Sequence, residues 1–171
     1  MIEGLVNPFS DELIHPETIG VIGCSESLTG IYDAYAAACH VGLINSVFFS
    51  YRFSENSIKV IKEKKLYLMG DSLSLSVFIC IALSALHKKN ASLCVATGAI
   101  HRENGGFVCN PVSHIEQKLI LAATHGISRM YIPEENLKNC TSRTRRQLDI
   151  IPLPRDLNHL VEKVVREESL P

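Results

Sequence analysis

The chain has 171 residues, 46% of them apolar and 20% charged, which is enough to bury a continuous core and too apolar for a disordered chain. A formal charge of −1 removes the electrostatic case for nucleic acid or an anionic membrane as partner. The first residues, Met1 to Glu17, are punctuated by Glu3, Asp11, Glu12 and Glu17 and hold no signal-peptide core; the longest apolar run, Val77 to Leu83, is too short to span a bilayer.

In chain order, "TIGVIGCS" (Thr18 to Ser25) reads as a short strand ending near Gly23, and "SLTGIYDAYAAACHVG" reads as a helix with an Ala-rich packing face. "SVFFSYRF" (Ser46 to Phe53) has the aromatic and β-branched content of a strand. "SENSIKVIKEKK" is a polar helix or turn leading to the short strand "LYLM". Leu75 to Leu86 is apolar nearly all round, as a central buried helix is.

"SLCVATG" and "GFVCNP" read as strands joined by "AIHRENGG", where Asn104-Gly105-Gly106 supplies the turn. "VSHIEQKLILAATHG" is an amphipathic helix closed by Gly126. A strand "ISRMYIP", a loop "EENLKNCTSRTRRQ", a strand "LDIIPLP" and a last helix from about Arg155 to Glu167 complete the chain. The alternation predicts an α/β (α+β) domain, a mixed sheet with packed helices, filling residues 1–171 without repeats or an evident linker.

Six cysteines (Cys24, Cys39, Cys80, Cys94, Cys109, Cys140) lack C-x-x-C or zinc-like spacing, so reduced, mostly buried thiols and a cytoplasmic protein are expected. The seven histidines form no H-E-x-x-H or i,i+4 pair, so no metal site is read. Cys109 with His114 is the thiol–imidazole alternative, but no third, orienting group accompanies it. Arg143, Arg145 and Arg146 read as a solvated loop or a subunit contact.

The stretch "GDSLSLSV" raises a sharper question. Asp71 or Ser72 before an apolar run is a natural helix cap, and it is equally a place where a nucleophilic hydroxyl meets free backbone N–H groups. A base is available on the later helix, where Ile115, Lys118, Leu119 and Ala122 share a face. Lys118 either snorkels to solvent or is desolvated, and desolvation lowers its pKa toward the range of a general base.

"GDSLSLSV", "VATGAI", "NPVSHIEQKLILAATHGISRMYIPEEN" and "LDIIPLPRDLNHLVEKV", taken in that order, resemble the proteolytic domain of the Lon protease family, most closely its archaeal-type branch. The likeness is strongest over residues 67–165, and residues 1–66 match weakly as the N-terminal part of the same domain. The resemblance implies a serine endopeptidase with a Ser-Lys dyad. Ser72 is then the nucleophile and Lys118 the general base, with Thr97 positioning the lysine and Gly70, Asp71 and Leu73 shaping the site.

It also implies polypeptide substrates, assembly into an oligomer such as a hexamer, and dependence on an AAA+ ATPase. No G-x-x-x-x-G-K-[ST] loop occurs here, so ATP and Mg would enter only through an ATPase module elsewhere in a longer protein or a partner, and no cofactor is expected in this chain. The chain departs from the family pattern in three places. Ser113-His114 stands where a Gly-Gly pair usually precedes the lysine helix, Leu73 replaces a small residue, and the Ile100 to Gly106 turn is longer. "PVSH" is also similar to the Lon-like domain of RadA recombination proteins, which lacks protease activity. The alternative expectation is therefore a catalytically silent Lon-fold interaction or assembly module.

Overall fold

A computed structural model of the chain describes residues 2–5, 25–45, 50–53, 70–86 and 94–169. Within them lie strands β1 (Ile2–Leu5), β2 (Ser50–Phe53), β3 (Cys94–Ala96), β4 (Ala99–Glu103), β5 (Gly106–Asn110), β6 (Arg129–Pro133) and β7 (Asp149–Leu153). The helices are α1 (Ser25–His40), α2 (Ser74–Ala85), α3 (Ile115–Thr124), the short α4 (Thr144–Gln147) and α5 (Leu157–Glu167), with a 3-10 helix over Glu134–Asn139. The strand expected over Thr18 to Gly23, the polar segment Ser54 to Lys65 and the strand Leu66 to Met69 lie outside the described residues.

β3, β6 and β7 form a parallel sheet with β6 in the middle, while β1–β2 and β4–β5 are antiparallel pairs. The result is a mixed α/β fold with a parallel sheet and packed helices. Parallel neighbours need long crossovers: the β4–β5 hairpin and α3 connect β3 to β6, and the 3-10 helix and α4 connect β6 to β7.

Two readings of the sequence need correction. Residues 99–103 form a strand of a hairpin, with the turn confined to Asn104 and Gly105, both at positive φ; the flanking residues pair because the β-ladder satisfies their backbone groups. The segment Glu134 to Gln147 is not an irregular loop, since it carries two short helical turns.

β6 is covered on both faces. Met130 and Ile132 join a cluster with Ile115, Leu119, Ala122, Cys140 and Leu148. Tyr131, pointing the other way as strand geometry requires, joins the larger cluster built from α1, α2, the hairpin, β7 and α5. α2 supplies much of that larger core: Leu75, Val77, Phe78 and Ile81 have no exposed surface. This fits its all-round apolar sequence, and at about 1.5–3 kcal/mol per buried large side chain it is a principal anchor of the fold. No helix among the described residues is long and apolar enough to cross a membrane.

Candidate functional site

The Gly70 to Leu73 turn opens at Gly70, whose φ of +79° suits a residue without a Cβ. The helix proper starts at Ser74, with Leu73 in the cap position and no side-chain cap bond. The capping expectation for Asp71 is thereby corrected. Its main-chain carbonyl accepts from the Ser74 N–H (2.9 Å) and from Ser74 Oγ (2.8 Å), and its carboxylate faces the other way, 2.6 Å from His101 Nε2.

The three serines of "DSLSLS" divide by role. Ser74 is fully buried; its hydroxyl donates to the Asp71 carbonyl and accepts from the Ile100 N–H at 2.7 Å. Ser76 Oγ donates to the Ala96 carbonyl at 2.5 Å. Both therefore sew α2 to the β3–β4 segment. Ser72, half-buried, has a hydroxyl without a hydrogen-bond partner among the described residues.

The Ser72 backbone is nevertheless fixed. Its carbonyl accepts from the Gly98 N–H at 3.1 Å, and the Gly98 carbonyl accepts from the Leu75 N–H at 3.2 Å. Gly98 is essential to this seam because a Cβ there would sit 2.6 Å from Leu75 Cδ2 and 3.0 Å from Pro133 Cγ. Thr97, nearly buried, donates its N–H to the Tyr131 carbonyl at 3.1 Å and so continues the β3–β6 ladder.

Lys118 Nζ reaches Thr97 Oγ1 at 3.4 Å. Burial holds the amine below the ordinary lysine range, and the Asp71 carboxylate partly offsets that effect. Its helix is held at both flanks. Buried Asn136 grips Val112 through two bonds, Val112 N–H to Asn136 Oδ1 (3.0 Å) and Asn136 Nδ2 to the Val112 carbonyl (2.9 Å). Glu116 accepts from Thr141 Oγ1 (2.7 Å) and Thr144 Oγ1 (3.1 Å). At the start of that helix His114 adopts a left-handed φ of +55°.

Ser72, Thr97, Gly98, Asp71 and Lys118 are thus brought together from three separate segments. A Ser72 Oγ to Lys118 Nζ hydrogen bond is not among the contacts; the amine rests on Thr97 instead. Leu73, half-buried, packs against the larger core. Sequence reasoning missed His101, hidden in what read as a turn, and Asn136, hidden in what read as a loop.

Cys109 is poorly placed for the thiol–imidazole alternative. It is buried, and desolvation, reinforced by Glu135, pushes its thiol up to about 12, while His114 is exposed. Among the described residues Cys39, Cys80, Cys109 and Cys140 are in no disulfide, and no cluster of three metal-ligating side chains occurs. No protein-family model and no curated protein matches the chain.

Proposed function

We propose that the chain is a serine peptidase domain of the Lon type, in which Ser72 attacks the peptide carbonyl and Lys118 moves the proton. The observation that carries this reading is the convergence of an uncommitted serine hydroxyl at a helix entrance with a partly desolvated lysine resting on Thr97. Neutral Lys118 takes the Ser72 Oγ proton and the oxygen adds to the carbonyl. The Ser72 and Leu73 N–H groups, without acceptors among the described residues, receive the oxyanion. Lys118 then returns the proton to the leaving amine, and water hydrolyses the acyl-enzyme.

On this reading the substrates are accessible polypeptides, delivered in the cytoplasm by an AAA+ ATPase in the same protein or a partner, with the domain assembled as a homo-oligomer, a hexamer by resemblance. The experiment is cleavage of a fluorogenic peptide library by the purified chain, Ser72→Ala and Lys118→Ala, from neutral to alkaline pH. Cleavage that rises with pH and disappears in both variants is the expected result. Full activity in Ser72→Ala refutes the mechanism.

A second reading, a Lon-fold interaction or assembly module without catalysis, is favoured by one observation: Lys118 Nζ bonds Thr97, not Ser72. Such bonds are often long in free enzymes and tighten with substrate, which keeps the peptidase as the first reading. Peptides left intact by every variant, with oligomers still formed, would favour the module.

A further inference from the structure

Asp71 presents a difficulty for a lysine base. A carboxylate near an amine stabilises the ammonium form, and Asp71 does act on Lys118 in that direction. Yet the carboxylate is not bonded to Lys118. It is held by His101 from β4, at 2.6 Å, and an ionised carboxylate can only accept, so the ring nitrogen is the donor. We infer that His101 is a positioning residue for the lysine: by holding the Asp71 carboxylate toward β4, it leaves the Lys118 amine to Thr97 and toward Ser72.

The geometry of β4 supports a dedicated role. Ile100, next to His101, donates its N–H to the Ser74 hydroxyl, so the strand carrying the imidazole is tied to the first turn of α2. The charged neighbours of His101 on β4 are engaged elsewhere: Arg102 lies over the Phe107 ring, and Glu103 pairs with Arg155. Across the hairpin His101 faces Val108, which does not titrate. On α1, which packs against β4, the titratable side chains with a described placement are Tyr32, Asp33, Tyr35, Cys39 and His40; His40 packs edge-on against Phe107. On α2, which also packs against β4, the titratable side chain is Cys80; on α3, which carries Lys118, Glu116 is bound by Thr141 and Thr144. The charged group bonded to His101 is therefore Asp71, whose charge also acts on Lys118.

This inference rests on the Ser72–Lys118 reading, so its test uses a signal that needs no catalysis. The chain is labelled with lysine carrying 13C at the ε position, the Lys118 resonance is assigned by its loss in Lys118→Arg, and its titration is followed by NMR. His101→Ala frees the carboxylate to turn toward the amine, and the Lys118 midpoint should move upward. His101→Gln, which can still donate to Asp71, should restore the midpoint.

In an Asp71→Asn background the upward shift should disappear, because the charge that causes it is gone. An unchanged midpoint in His101→Ala, or an equal shift with Asp71→Asn present, overturns the inference. If His101→Ala does not fold, His101→Gln and Asp71→Asn decide it: a midpoint raised in the first, or unmoved in the second, overturns it. Titrations behaving as described in a chain that cleaves no peptide would sink the peptidase reading and leave the positioning role intact.

Discussion

Gly98→Ala is the sharpest test of the seam between the Ser72 turn and the Thr97 strand. The new methyl would meet Leu75 Cδ2 at 2.6 Å, Pro133 Cγ at 3.0 Å and Leu75 Cβ at 3.2 Å. A side-chain tip could rotate away in open space, but Leu75 is fully buried and its Cβ moves only with α2. Overpacking of this type costs about 1–3 kcal/mol. The loss of unfolded-chain freedom returns about 0.4–1 kcal/mol of stability, leaving a net destabilisation of about 0–2.6 kcal/mol with its middle at about 1.3 kcal/mol. For a chain of this length that middle value lowers Tm by roughly 3–5 °C.

The assay is a thermal melt of Gly98→Ala, Leu75→Ala and the double variant. Leu75→Ala alone should cost about 2–5 kcal/mol through its cavity. In the double variant the added methyl occupies part of that space, so the costs should fall short of their sum by about 0.5–3 kcal/mol. A Gly98→Ala protein that melts with the wild type, or a double variant whose costs simply add, refutes the close-approach argument.

Lys118→Met removes an amine that burial disfavours in its charged form. Because the folded pKa lies below the unfolded value near 10.5, the unfolded state binds more protons between the two, and wild-type stability rises with pH through that window. The Met variant should be the more stable at neutral pH, and this advantage should shrink as pH climbs toward 10.5 and level off above it; urea midpoints that differ by a constant amount at every pH contradict the assignment. At His114, with φ +55°, glycine relieves about 1 kcal/mol of left-handed strain against roughly 0.5–1 kcal/mol of extra chain entropy. His114→Gly should therefore melt at or slightly above wild type, and His114→Val clearly below it; the reverse order by calorimetry would refute the strain. Asp156 accepts the His159 N–H at 3.0 Å as the cap of α5, so Asp156→Ala should lose about 1 kcal/mol and Asp156→Asn very little. Equal melting of those two variants would count against the cap.

Where one segment's own pattern decides its structure, the sequence was legible. The all-round apolar run of α2 is buried as expected, and the stripe Ile115, Leu119 and Ala122 lies in the core with half-buried Lys118 beside it. The contacts of Lys118 with Thr97 and of Gly98 with the Ser72 carbonyl could not be read from periodicity, since spacing within a segment says nothing about distance between segments. What stayed hidden depended on partners far along the chain. His101 lies 30 residues from Asp71, Asn136 lies 24 from Val112, and Ser74 bonds across 26 residues to Ile100. Hydrogen-bond pairing over such distances leaves no periodic trace, and turn residues at 104–106 drew attention from the strand beside them.

Ser72 stands at the head of a helix sunk in the larger apolar cluster, and Lys118 on a helix whose buried residues belong to the smaller one. Strand β6 serves both clusters, giving Tyr131 to the larger and Met130 and Ile132 to the smaller. The hydroxyl and the amine are thus both referenced to one strand, and a change of packing on either of its faces is felt at the gap between them.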